Sequence, residues 1–185
     1  MLYLKFVICL IVLCSLCGCA ANLRQASPDA IAQTVKKSMM DAGNDIVWRA
    51  PELQISHYRT LFYGYDSVYY RLGARKSPKG DDILYQLSID AQYGGSLRHY
   101  DAVKFANGTS RPLVSQSHQT QRCQFFNNLV YACLFRDQAN VELSRSALEA
   151  FQTSGLLLKL GSEKQEYETI DLPGNYIKGF LQAVH

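Results

Sequence analysis

The stretch Ile83-Leu84-Tyr85-Gln86-Leu87-Ser88-Ile89-Asp90-Ala91-Gln92-Tyr93 decides how this chain folds. Ile83, Tyr85, Leu87, Ile89, Ala91 and Tyr93 fall on one side of an extended backbone, and Gln86, Ser88, Asp90 and Gln92 on the other. Successive strand residues point to opposite faces. The period of two therefore predicts a half-buried strand in an antiparallel sheet, apolar face inward and polar face outward.

The same reading extends to both sides of this strand. Upstream, Ser67–Ala74 puts Val68, Tyr70, Leu72 and Ala74 together, and the turn-rich Lys76–Asp82 joins the two strands as a meander. Leu53–Tyr63 and Tyr100–Phe105 add further strands, and Asn107-Gly108 supplies another turn. Near the start, Ser27 is a helix cap, Pro28 the first helical residue and Asp29 a first-turn acid, with Lys36 and Lys37 in the last turn and Gly43 as the stop. Ile31, Val35 and Met39 would form its apolar stripe. Past Leu143 the period changes again. Ser144 caps a short helix that ends before Gly155, two strands surround a polar turn between Leu156 and Pro173, and Tyr176, Ile177, Phe180, Leu181 and Val184 mark an amphipathic closing helix. The expected fold is one α+β domain over residues 27–185, mainly an antiparallel sheet with an N-terminal helix and a C-terminal amphipathic helix.

The first residues read differently. Lys5 precedes an uncharged apolar run from Phe6 to Leu16, followed by small residues, which is the build of an export signal. The run to Ala21 is shorter than the ~20 residues that cross a bilayer core. Leu16-Cys17-Gly18-Cys19 resembles the lipobox of bacterial lipoproteins. The resemblance implies cleavage after residue 18, acylation of Cys19 with diacylglycerol and palmitate-like chains, and a membrane anchor followed by a short tether, residues 19–26. Several acyl chains on one residue give stable attachment. With Ala20 next, the resemblance further implies the outer membrane; a domain held there is expected to face the periplasm, with an envelope protein or complex as the expected partner.

Removing such a leader takes away one charge, Lys5, from a chain with 19 Lys and Arg against 16 Asp and Glu. That balance, without a long basic run, argues against a nucleic-acid partner. Of six cysteines, only Cys123 and Cys133 lie beyond Cys19. An even pair in an oxidising compartment, without metal-ligand spacing, reads as a disulfide. Asn127-Asn128 favours a tight turn between them. A two-residue loop would pair Phe126 with Leu129 and set Cys123 opposite Ala132. A three-residue loop, Asn127–Leu129, would set Cys123 across from Cys133, so the longer loop is expected.

Chemistry-bearing patterns are sparse. The four histidines, His57, His99, His118 and His185, fall in no metalloprotease motif, and no nucleophile elbow or phosphate-binding glycine loop is present. No metal or cofactor is expected. His99 with Asp101, and Ser115 or Ser117 near His118, are the candidates for a nucleophile, base and orienting acid. The twelve tyrosines are more unusual, with Tyr63, Tyr65, Tyr69 and Tyr70 close together beside Arg71 and Arg75. Aromatic residues fill sheet cores, but those that alternate outward would form a Tyr–Arg surface of the kind enriched in interface cores. Two functions therefore stand at this point. One is a non-catalytic envelope lipoprotein that binds or helps assemble a protein partner. The other is a periplasmic hydrolase using His99 and its neighbours.

Overall fold

The computed structural model describes residues 22–40, 44–60, 64–98, 100–126, 129–162 and 165–184. Its centre is the strand predicted above, β5 (Ile83–Gly95), in which Tyr85, Leu87, Ile89, Ala91 and Tyr93 are all buried. β5 pairs antiparallel with β4 (Gly64–Lys76) on one side and β9 (Leu129–Leu143) on the other. β9 in turn pairs with β8 (Ser115–Phe126). The other edge of β4 is shared. β3 (Leu53–Thr60) takes its first half, and β2 (Asp45–Arg49) takes Gly73–Lys76 and carries β1 (Lys36–Met40) outside it. These seven strands form one sheet.

A second antiparallel sheet has the order β11-β10-β6-β7, from β6 (Ala102–Phe105), β7 (Ser110–Pro112), β10 (Leu156–Gly161) and β11 (Glu166–Leu172). The Asn107-Gly108 turn links β6 to β7, with Gly108 at φ 84°. Among the described residues three helices complete the architecture: α1 (Pro28–Thr34), α2 (Arg145–Phe151) and α3 (Gly174–Ala183). One apolar cluster joins the inner face of the large sheet to the small sheet and α3. Tyr176, Ile177, Phe180 and Val184 of the closing helix and its end are fully buried in it, each contributing about 1.5–3 kcal/mol of transfer free energy. The mainly antiparallel β architecture matches the expectation from the alternating pattern.

Three local expectations are corrected. The N-terminal helix is shorter than Ser27–Gly43. It has its Ser27 cap and Pro28 start but ends at Thr34, and Lys36–Met40 runs on as a strand paired with β2. A seven-residue helix has little stability of its own. It persists where Ile31 packs against α3, whereas the β-branched Thr34 and Val35 and a waiting edge of β2 favour extension. The supposed stripe is thus broken, and Met39 is 65% exposed. Gly43 lies outside the described residues.

The cysteine hairpin also differs. Phe126 pairs with Leu129, the shorter of the two loops considered, yet Cys123 still faces Cys133 because the register shifts between Gln124 and Phe125. A β-bulge on β9, two residues against one, supplies the extra residue that was assigned to the loop. The disulfide joins Cys123 and Cys133, whose Cα atoms are 4.0 Å apart.

Finally, the segment expected as a tether is docked from Asn22 onward. Asn175 of α3 donates to the carbonyls of Leu23, Arg24 and Ala26, and Arg24 bonds Asp171 and the Tyr70 hydroxyl. Cys19 lies outside the described residues. Among those described, no helix is long and apolar enough to cross a membrane.

Candidate functional site

Two places gather polar chemistry: a buried charged network between the sheets, and the open face of the large sheet. The network is built around Arg98, in the crossover from β5 to β6. Its guanidinium donates to Asp66 on β4, to Glu168 on β11 at 2.9 Å and to the Tyr100 hydroxyl at 3.1 Å. Asp66 accepts a further bond from Gly94 N. All three charged groups are nearly inaccessible. Burial disfavours the Arg98 charge, but the bonds from Tyr100 and Asp66 outweigh it and hold the guanidinium protonated more firmly than usual.

The network continues through Tyr93. Its hydroxyl donates to Asp137 Oδ2 at 2.8 Å and accepts from Arg98 N at 3.2 Å, while its ring lies under the guanidinium at 4.6 Å. Burial, then the contact with Asp137, pushes the Tyr93 hydroxyl pKa well up, so the phenol stays neutral. Asp137 Oδ1 meets His118 Nδ1, and the imidazole is stacked at 5.4 Å from Phe135. At the other end, His57 Nε2 is 3.5 Å from Glu168 Oε2.

A cleft of about 450 Å³ opens beside His118, bordered by Leu97, Tyr100, Asp101 and Asp137. A His fixed by a carboxylate is the base-and-orienter half of a catalytic constellation. Ser117 also borders the cleft, but strand alternation turns its hydroxyl to the opposite face, where it lies 3.5 Å from Gln138 Oε1. Asp101 is exposed at the rim, whereas His99 lies outside the described residues, as does the side chain of Ser115. Among the described residues no group of His, Cys, Asp and Glu is arranged to hold a metal.

The open face is read from the registers. Directly paired residues share a face, so Tyr69 stands with Asp90 and Gln138, and Arg71 with Ser88 and Asn140. These six border a depression of about 200 Å³. Most polar groups here are already engaged. Arg136 Nε donates to both oxygens of Asp90, at 2.9 and 3.0 Å, Arg136 Nη2 donates to Oδ2, and Gln138 adds a fourth bond. Burial alone would raise the Asp90 carboxyl, but these bonds and the Arg136 charge hold it below the usual range. Tyr69 accepts from Gln54 at 3.2 Å. Arg71 has no ion pair among the described residues.

The Tyr–Arg candidates therefore separate. Tyr69 and Arg71 lie on the open face, and Arg75 lies there too, bonded to Asp45 at 2.8 Å. Tyr70 does not: it is 1% exposed, its hydroxyl bonded to Asp171 O and Arg24, and burial raises its pKa. The same alternation that places Tyr69 outward places Tyr70 in the core. Tyr63 lies outside the described residues, and of Tyr65 only the backbone is described, paired with Tyr58. The residues not singled out from sequence are Asp66, Arg98, Asp137 and Glu168. They come from four distant segments, so no local spacing marks them. No family model matches the chain, and no curated protein or solved structure matches it either.

Proposed function

We propose that this chain is an envelope lipoprotein, anchored through Cys19, that acts as a non-catalytic docking module for a protein partner. The observation that supports docking is that Tyr69 and Arg71, the latter without an ion pair among the described residues, border one depression at the middle of the open sheet face. Tyr and Arg are the side chains that most often carry interface energy, because each combines a large contact area with directional hydrogen bonds. The disulfide and the buried Arg98 network would keep such a platform rigid, which lowers the ordering cost of binding.

A photo-crosslinking residue at Ser88 of the lipidated protein, activated in intact cells, tests this reading. A discrete protein adduct is expected from that position and not from Glu149, on α2. Absence of an adduct from Ser88 in folded, anchored protein would remove the docking reading. A second reading, a periplasmic hydrolase, rests on the His118–Asp137 pair beside the cleft. Under docking, His118→Ala leaves envelope function intact and Tyr69→Ala with Arg71→Ala abolishes it. The reverse pattern selects the hydrolase.

A further inference from the structure

The open face carries an excess of positive charge at one corner, and the registers locate it. Lys36 of β1 stands opposite Arg49 of β2, and Arg49 stands opposite Gly73 of β4. Gly73 lies between Arg71 and Arg75 on the same face of β4. Opposed residues are about 5 Å apart at Cα, and i, i+2 neighbours about 7 Å. Three arginines thus flank one residue that has no side chain, and Lys36 stands one strand further out. The atoms nearest to a Cβ at Gly73 would be Gln86 Cγ and the Trp48 carbonyl, both at 3.6 Å, and Gln86 Nε2 at 3.7 Å, so the amide of Gln86 borders the notch.

Fewer carboxylates than cations share this corner: Asp45 is bonded to Arg75, Glu52 borders the depression beyond Arg71, and Glu142 stands opposite Gln86 two strands from Gly73. Arg49 donates to the neutral Ser38 hydroxyl at 3.2 Å. Lys36, Arg49 and Arg71 have no acidic partner among the described residues. Three of the four cations are arginines, whose planar fork suits the two oxygens of a carboxylate.

We infer that the corner formed by Lys36, Arg49, Arg71 and Arg75 around Gly73 receives an acidic segment, rich in Asp or Glu, of the docked protein. The inference rests on the docking reading above and names the chemistry of that partner. The protein's own membrane is the less suited anion. Residues 22–26 leave the domain from its covered side, where Arg24 reaches the core-facing Tyr70 and Asn175 holds Ala26. A chain anchored from there presents the cationic corner away from the bilayer.

The test uses the lipidated full chain in detergent with a fluorescent octaglutamate probe. Binding is expected, weakening several-fold between about 50 and 300 mM salt. Arg49→Glu and Arg71→Glu should each lower affinity roughly tenfold or more, and Lys178→Glu, an equal charge change on α3, should not. Equal loss from all three reversals, or from none, overturns the inference. In cells, a photo-crosslinker at Gln86 should give a protein adduct that Arg49→Glu removes. An adduct with phospholipid or cell-wall glycan alone overturns the acidic-segment assignment. A protein adduct at Ser88 that persists in Arg49→Glu leaves docking standing and overturns only the role of the corner.

Discussion

Arg98 illustrates what a single side chain does when it is removed from water. Its guanidinium, with 6% of the side chain exposed, faces two carboxylates nearly as inaccessible, one on each sheet. Such a cluster adds little net stability over an apolar packing, but deleting one member leaves the others charged, buried and unpaired. Arg98→Met should therefore lower unfolding free energy by roughly 3–5 kcal/mol. Urea denaturation checks this: a lower midpoint with an unchanged slope is expected, and an unchanged midpoint would show that the network is solvated. Asp90 behaves oppositely with respect to burial, being on the open face. Its pKa is held below the ordinary 3.8, so its contribution is present above that value and is lost as pH falls through the folded-state value. The stability gap between the wild type and Asp90→Asn should be evident at pH 6 and shrink on acidification below about pH 4. A gap that stays constant to pH 3 would mean that the Arg136 contact is not formed in solution.

At the scale of elements, what was legible in the sequence depended on whether a local pattern agreed with the tertiary demand. β5 was legible because its period of two matches a sheet with one buried face, and α3 because its apolar positions match a helix lying on a core. α1 was only half legible. Its cap and first turn are local, but its end is set by β1 pairing with the next strand, β2, which no helical spacing records. The helix also depends on close approach to α3. A Cβ at Gly179 would fall 2.4 Å from Pro28 O and 2.8 Å from Ile31 Cβ. Backbone cannot yield as a side-chain tip can, so Gly179→Ala should cost about 1–3 kcal/mol although alanine favours helices. Hydrogen exchange should show the loss concentrated in the amides of α1; uniform protection at the wild-type level would contradict the contact. The hairpin carries the converse lesson. The Cys123–Cys133 pairing was legible from the cysteine count, whereas the bulge that aligns it was not, because one residue placed in a loop or in a strand leaves the same sequence distance.

For the whole molecule, the candidate sites were legible only where they rest on alternation along one strand. Tyr69 and Arg71 can be assigned to one face from β4 alone, while the four members of the buried network meet only after two sheets are packed. Lys36 and Arg49 likewise join Arg71 only through the β1-β2-β4 order. The same packing bears on the anchor. Because residues from Asn22 onward are tied to α3 and β11, three residues of backbone, at most about 10 Å, join Cys19 to the docked chain. An acylated Cys19 would hold the covered side of the domain against the bilayer and leave the large sheet facing outward. The buried apolar cluster among the described residues is drawn from Ile31 to Val184. Cys19→Ser is therefore expected to abolish acylation and move the protein out of the membrane fraction, with thermal unfolding of the domain unaltered. Mass spectrometry and detergent phase partitioning read the first two effects, and circular dichroism the third. Retention in the detergent phase with an unmodified mass would sink the lipoprotein reading, whereas loss of the folded transition would mean that the residues before Asn22 form part of the domain.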